Sequence, residues 1–102
     1  MATLRHVVLL RFKPETAPDQ IRAVGSAFAA LRGKIAGIEA LEWGTNCSPE
    51  GKHQGFSHCF LLTFTSAAAR DAYLPHPDHQ AFSTLLRPHV DQVLVIDYQP
   101  RS

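Results

Sequence analysis

The chain has 102 residues, of which 45% are hydrophobic and 19% charged, with a formal net charge of +1 at pH 7. That length makes one domain, residues 1–102, and that composition excludes a disordered chain. Lys and Arg are scattered without a basic stripe, which argues against nucleic acid as a partner, and no run of eighteen apolar residues is present to span a membrane.

Leu4 to Lys13 reads as a strand, rich in β-branched and large apolar residues. Leu4, His6, Val8, Leu10 and Phe12 share one face, and Arg5, Val7, Leu9, Arg11 and Lys13 the other. The N-terminus runs straight into this strand and leaves no room for a signal peptide. Pro14 ends the strand. Thr16 to Asp19 resembles a capping box, with Pro18 in the first turn. Ile21, Val24, Phe28, Leu31 and Ile35 follow at three- and four-residue steps and predict a helix from about Pro18 to Lys34. Gly33 and Gly37 mark its end.

Ile38 to Asn46 alternates and predicts a second strand, with Leu41 and Trp43 on one side and Glu42 on the other. Ser48 to Gly55 is a polar turn region. Phe56 to Thr65 predicts a third strand that groups Phe56, His58, Phe60, Leu62 and Phe64. Ser66 is the expected cap of a short helix, Ala67 to Leu74. Pro75 and Pro77 then force a break. Pro77 suits the first turn of a further helix to about Leu86. Val93 to Tyr98 predicts a fourth strand, apolar on both faces until Asp97.

The order is β-α-β-β-α-β with the second helix interrupted. Right-handed crossovers put the helices on one face of a four-stranded antiparallel sheet, the ferredoxin-like α+β arrangement. The first, third and fourth strands carry large apolar side chains on both faces, yet helices cover only one. The remaining face calls for a second copy of the chain, hence a homodimer enclosing a barrel-like interior.

The stretch Tyr73-Leu-Pro-His76-Pro-Asp-His79 concentrates the chemistry. It brings a phenol and two imidazoles together around the forced break. His79 falls in the first turn of a helix, near the positive end of the dipole, which favours a neutral ring able to accept a proton. As a general base, His79 would remove a proton next to a carbonyl, and Tyr73 would hydrogen-bond the oxyanion that develops. The same residues admit a plain reading, in which His79 only bonds a local carbonyl.

His6 and His58 lie on mixed strand faces. If those strands are neighbours, both imidazoles point into one cavity and anchor a ligand; the alternative is two hydrogen-bonded core histidines. His76 and His79 have the spacing of a metal pair but lack a third ligand, so no metal is expected. Cys47 and Cys59 stand in no metal spacing, and two thiols without an export signal read as reduced, buried and structural. A cytoplasmic protein is the resulting expectation.

Several segments, in this order, resemble the stress-responsive A/B barrel (Dabb) family of the dimeric α+β barrel superfamily. They are His6 to Lys13, Trp43-Gly-Thr-Asn46, Ser48 to Gly51, Gly55-Phe-Ser-His58, Tyr73 to Phe82 and Val95-Ile-Asp-Tyr98. The resemblance spans nearly the whole chain. It implies the ferredoxin-like fold and the dimer. A plant polyketide cyclase of the family closes a linear polyketide by aldol condensation, with a His and a Tyr and no cofactor. By resemblance those residues are His79 and Tyr73, with His6 and His58 as pocket histidines that hold the substrate. The resemblance also admits a non-catalytic stress-related ligand-binding or structural dimer, or a cofactor-free monooxygenase as found elsewhere in the superfamily.

Overall fold

The computed structural model describes residues 2–101. Its elements follow the predicted order: β1 (Leu4–Phe12), α1 (Pro18–Ala30) continued by a 3-10 turn (Leu31–Gly33), β2 (Ile38–Thr45), β3 (His58–Phe64), α2 (Ala67–Tyr73), α3 (Pro77–Leu86) and β4 (Val90–Tyr98). The strands form one sheet in the order β2-β3-β1-β4, and every neighbouring pair is antiparallel. This is the ferredoxin-like fold.

Period-two alternation sorts each strand into two faces. On β1, Leu4, His6, Val8 and Leu10 are buried while Arg5, Val7, Leu9 and Arg11 are only half-buried. Phe60, Leu62 and Phe64 of β3 are aligned with that buried set through the pairs Val8–Phe60, His6–Leu62 and Leu4–Phe64. Val24, Phe28 and Leu31 from the first helical segment, Ile35 from the bend after it, and Phe82 and Leu86 from α3 cover this face and close the core. Phe28 stacks on Phe60 at 4.3 Å and meets Phe82 at 4.6 Å, so one ring joins both helices to the sheet.

The other face stays uncovered. β4 is an edge strand, and its outward-facing Leu94, Ile96 and Tyr98 are 42%, 57% and 47% exposed. Val7, Leu9 and Leu61 lie beside them in register. This contiguous apolar surface is the one the sequence pattern predicts.

Three local expectations need correction. Thr16 does not cap α1: the cap position is Ala17, whose N–H donates to the Gln20 side chain at 2.9 Å, and the Thr16 hydroxyl instead donates to the His89 carbonyl. β4 begins at Val90 rather than Val93, because the polar Asp91 and Gln92 side chains accept from Arg11 across the strand pair. Cys47 and Cys59 are exposed rather than buried, Cys47 after the end of β2 and Cys59 on the uncovered sheet face.

Candidate functional site

The break between α2 and α3 builds the site. Ser66 caps α2 by accepting from the Ala69 N–H. The helix ends at Tyr73, and Pro75 prevents its continuation. His76 then caps α3, its Nδ1 accepting from the Asp78 N–H at 3.1 Å, with Pro77 in the first turn. The reversal folds Tyr73 and His79 onto each other, with ring centroids 4.3 Å apart.

His79 Nδ1 lies 2.9 Å from the Leu74 carbonyl oxygen. A carbonyl only accepts, so Nδ1 carries the proton, and the neutral ring keeps its lone pair on Nε2. The local bond of the plain reading is therefore present, and it is also the bond that would orient a base. Tyr73 is fully buried, and its hydroxyl has no hydrogen-bond partner among the described residues. Leaving such a group unsatisfied costs about 1–3 kcal/mol. Burial pushes the Tyr73 phenol well above its ordinary value, so it stands as an O–H donor at neutral pH.

Both residues line a cleft of about 370 Å³ between the helices and β4. Val8, Phe28, Leu74, Phe82, Leu86 and Val95 supply apolar walls. His6 lies in the same lining, 4% exposed, with its ring edge-on to Tyr73 at 5.7 Å and to Phe64 at 5.8 Å. Its Nδ1 lies 2.6 Å from Asp97 Oδ1. Asp97 Oδ2 in turn accepts from Arg70 Nη1 at 2.7 Å, and Arg70 Nε donates to Asp71 at 2.8 Å. A cleft with one buried unpartnered donor, a held imidazole beside it and largely apolar walls can bind a small hydrophobic compound that carries a carbonyl, and can move a proton next to it.

His58 is not brought to this cleft. It pairs with Leu10, four residues along β1 from His6, and so sits about 13 Å away by strand rise. Its ring meets Phe12 at 5.1 Å and stacks with Trp43 at 6.1 Å. Burial lowers its pKa. It lines a separate cavity of about 550 Å³ formed with the β2–β3 loop. The two imidazoles therefore do not point into one shared cavity, because the register sets them at different places along the sheet. Among the described residues no cluster of three or more His, Cys, Asp or Glu could hold a metal, and no helix is long and apolar enough to cross a membrane.

Asp97 and Arg70 are site residues that the sequence reading passed over. A hint was available: Asp97 interrupts an otherwise apolar strand, and Arg70 is the one cation in the Ala-rich turn of α2.

Comparisons with known proteins converge on one family. The pattern of the stress responsive A/B barrel domain, Dabb, matches residues 4–100. A stress-response A/B barrel domain-containing protein of Arabidopsis thaliana, HS1, is 39% identical over 97% of this chain and 91% of its own length. Olivetolic acid cyclase of Cannabis sativa is 28% identical over 96% of this chain and 97% of its own length. A protein of unknown function from Jannaschia sp. CCS1, described as dimeric and ferredoxin-like, superposes with a TM-score of 0.83 at 32% identity, covering 96% of this chain and 99% of that one.

Proposed function

The chain belongs to the stress-responsive A/B barrel (Dabb) family, and from that premise we propose that it binds a small hydrophobic oxo compound in the cleft beside Tyr73 and His79 and acts on it by cofactor-independent proton transfer. The observation that carries this reading is the buried Tyr73 hydroxyl, without a partner among the described residues, next to an imidazole whose Nδ1 is held by the Leu74 carbonyl. Tyr73 donates its hydrogen bond to the carbonyl oxygen of the ligand. His79 Nε2 takes the proton from the adjacent carbon. The C–H electron pair becomes the enolate, whose charge Tyr73 stabilises, and the enolate then attacks a second carbonyl or takes the proton back. His79 returns its proton to the oxygen or carbon that needs it, so no redox partner enters. The likeness to olivetolic acid cyclase, 28% identical along nearly its whole length, supports cyclisation as one form of this chemistry.

A homodimer belongs to the same proposal. The uncovered face of Leu94, Ile96 and Tyr98, and a 32% identical neighbour described as dimeric, support a second copy packed there.

A second reading is a stress-related dimer that holds a ligand without turning it over; the 39% identical stress-response A/B barrel relative supports its link to stress. Binding of acetophenone, a small apolar methyl ketone, tests what both readings share. Ligand-observed NMR should detect it on the wild type and find it weakened at least tenfold by Tyr73→Phe. Equal binding by both proteins would remove Tyr73 as the anchor.

A further inference from the structure

The proton-transfer scheme makes no use of Asp97, yet both oxygens of its carboxylate are committed. Oδ1 lies 2.6 Å from His6 Nδ1, and Oδ2 accepts from Arg70 Nη1 at 2.7 Å. Arg70 comes from α2, three residues before Tyr73, so the pair ties the end of that helix to β4. A guanidinium only donates, and an ionised carboxylate only accepts. The Asp97 oxygen that faces His6 therefore requires the proton to be on Nδ1. The neutral ring then keeps its lone pair on Nε2, and among the described residues no side chain bonds that atom. His6 is nearly inaccessible and lines the same cleft as Tyr73.

We propose that Asp97, clamped by Arg70, is a positioning residue that fixes His6 with Nε2 as a hydrogen-bond acceptor in the cleft, so that the site selects oxo compounds that also carry a hydroxyl group. This deepens the proposed function and rests on the cleft being the ligand site. Tyr73 supplies one donor and His6 Nε2 one acceptor, within largely apolar walls. A ligand with a carbonyl and an O–H satisfies both. A plain ketone satisfies Tyr73 and leaves the imidazole nitrogen stripped of water and unpaired. A site built to pair a ligand hydroxyl rejects the analogue without it far more strongly than a pocket rejects a missing methylene.

The carboxylate is essential to this arrangement, because an amide has only one oxygen. In Asp97→Asn, Arg70 takes that oxygen and the NH₂ group faces His6. Nδ1 must then accept, and the proton moves to Nε2. The same loss of the correct tautomer is known to disable a histidine held by a carboxylate in serine proteases.

The test uses the full chain and the imidazole ¹⁵N spectrum at neutral pH, with acetophenone and its three monohydroxy isomers as probes. Wild type should show His6 protonated at Nδ1 and bare at Nε2, and should bind at least one hydroxy isomer tenfold or more tighter than acetophenone. Asp97→Asn should show the opposite tautomer and lose that preference. A wild-type His6 protonated at Nε2, or a hydroxyl preference that survives Asp97→Asn, overturns the proposal. If the variant fails to fold, the wild-type tautomer still decides the positioning. If wild type binds none of the four ketones, the proposed function fails, and the His6 spectrum still reports on Asp97 separately.

Discussion

Tyr73 and His79 face each other across the Pro75–Pro77 break, with ring centroids 4.3 Å apart, the phenol fully buried and the imidazole held by the Leu74 carbonyl. The break places the last residue of one helix against the first turn of the next. A continuous helix would put residues six apart on different faces.

The Tyr73 hydroxyl is buried with no hydrogen-bond partner among the described residues, so its removal should not weaken the fold. Tyr73→Phe should leave the melting temperature unchanged or raise stability by about 1–3 kcal/mol, while ligand binding falls. Calorimetric melting checks this. A loss of stability would mean that the hydroxyl has a structural partner.

Burial raises the Tyr73 phenol above its ordinary value of 10.0. The unfolded chain then loses this proton before the folded one does. Its contribution to stability is complete below pH 10 and is lost as pH rises from there towards the folded value. Denaturant melts above pH 10 should show this decline, and Tyr73→Phe should flatten it.

Gly37 adopts a φ of +95°, and a Cβ there would lie 2.8 Å from the Ala69 Cβ. Its carbonyl also accepts from the Thr65 N–H at 3.0 Å, which leaves the backbone little freedom to move. Gly37→Ala should cost about 2–4 kcal/mol, from the left-handed conformation and the clash together, measured by urea denaturation.

Ile96 is 57% exposed and central on the uncovered face of β4. Ile96→Glu should convert a dimer into a monomer in light scattering, because two carboxylates would be buried face to face. A wild-type chain that runs as a monomer at micromolar concentration would contradict the proposed assembly.

Much of the fold is readable from local chemistry. Pro77 and the apolar Phe82, Leu85 and Leu86 are enough to bound α3, and Ser66 caps α2 as its sequence position suggests. The two-faced apolar strands announce the uncovered surface. Local chemistry fails where a residue answers to one distant in sequence. Asp91 and Gln92 read as loop because their partner Arg11 lies some eighty positions away, and Thr16 leaves its cap for the carbonyl of His89. At the site, Tyr73 and His79 are legible because six residues and two prolines bring them together. The Arg70–Asp97–His6 chain is not, since it joins α2, β4 and β1 over 27 and 91 positions. His58 misleads for the same reason: it shares a sheet face with His6, but register sets it four residues along the strand.

Deuterium exchange at the α-carbon of acetophenone, followed by proton NMR in heavy water, tests the central claim most directly. Wild-type protein should accelerate the exchange over buffer. His79→Ala should lower the rate about 10²–10⁴-fold, as expected for loss of a positioned base. Exchange that proceeds equally fast in wild type and His79→Ala would contradict the assignment of His79 as the base.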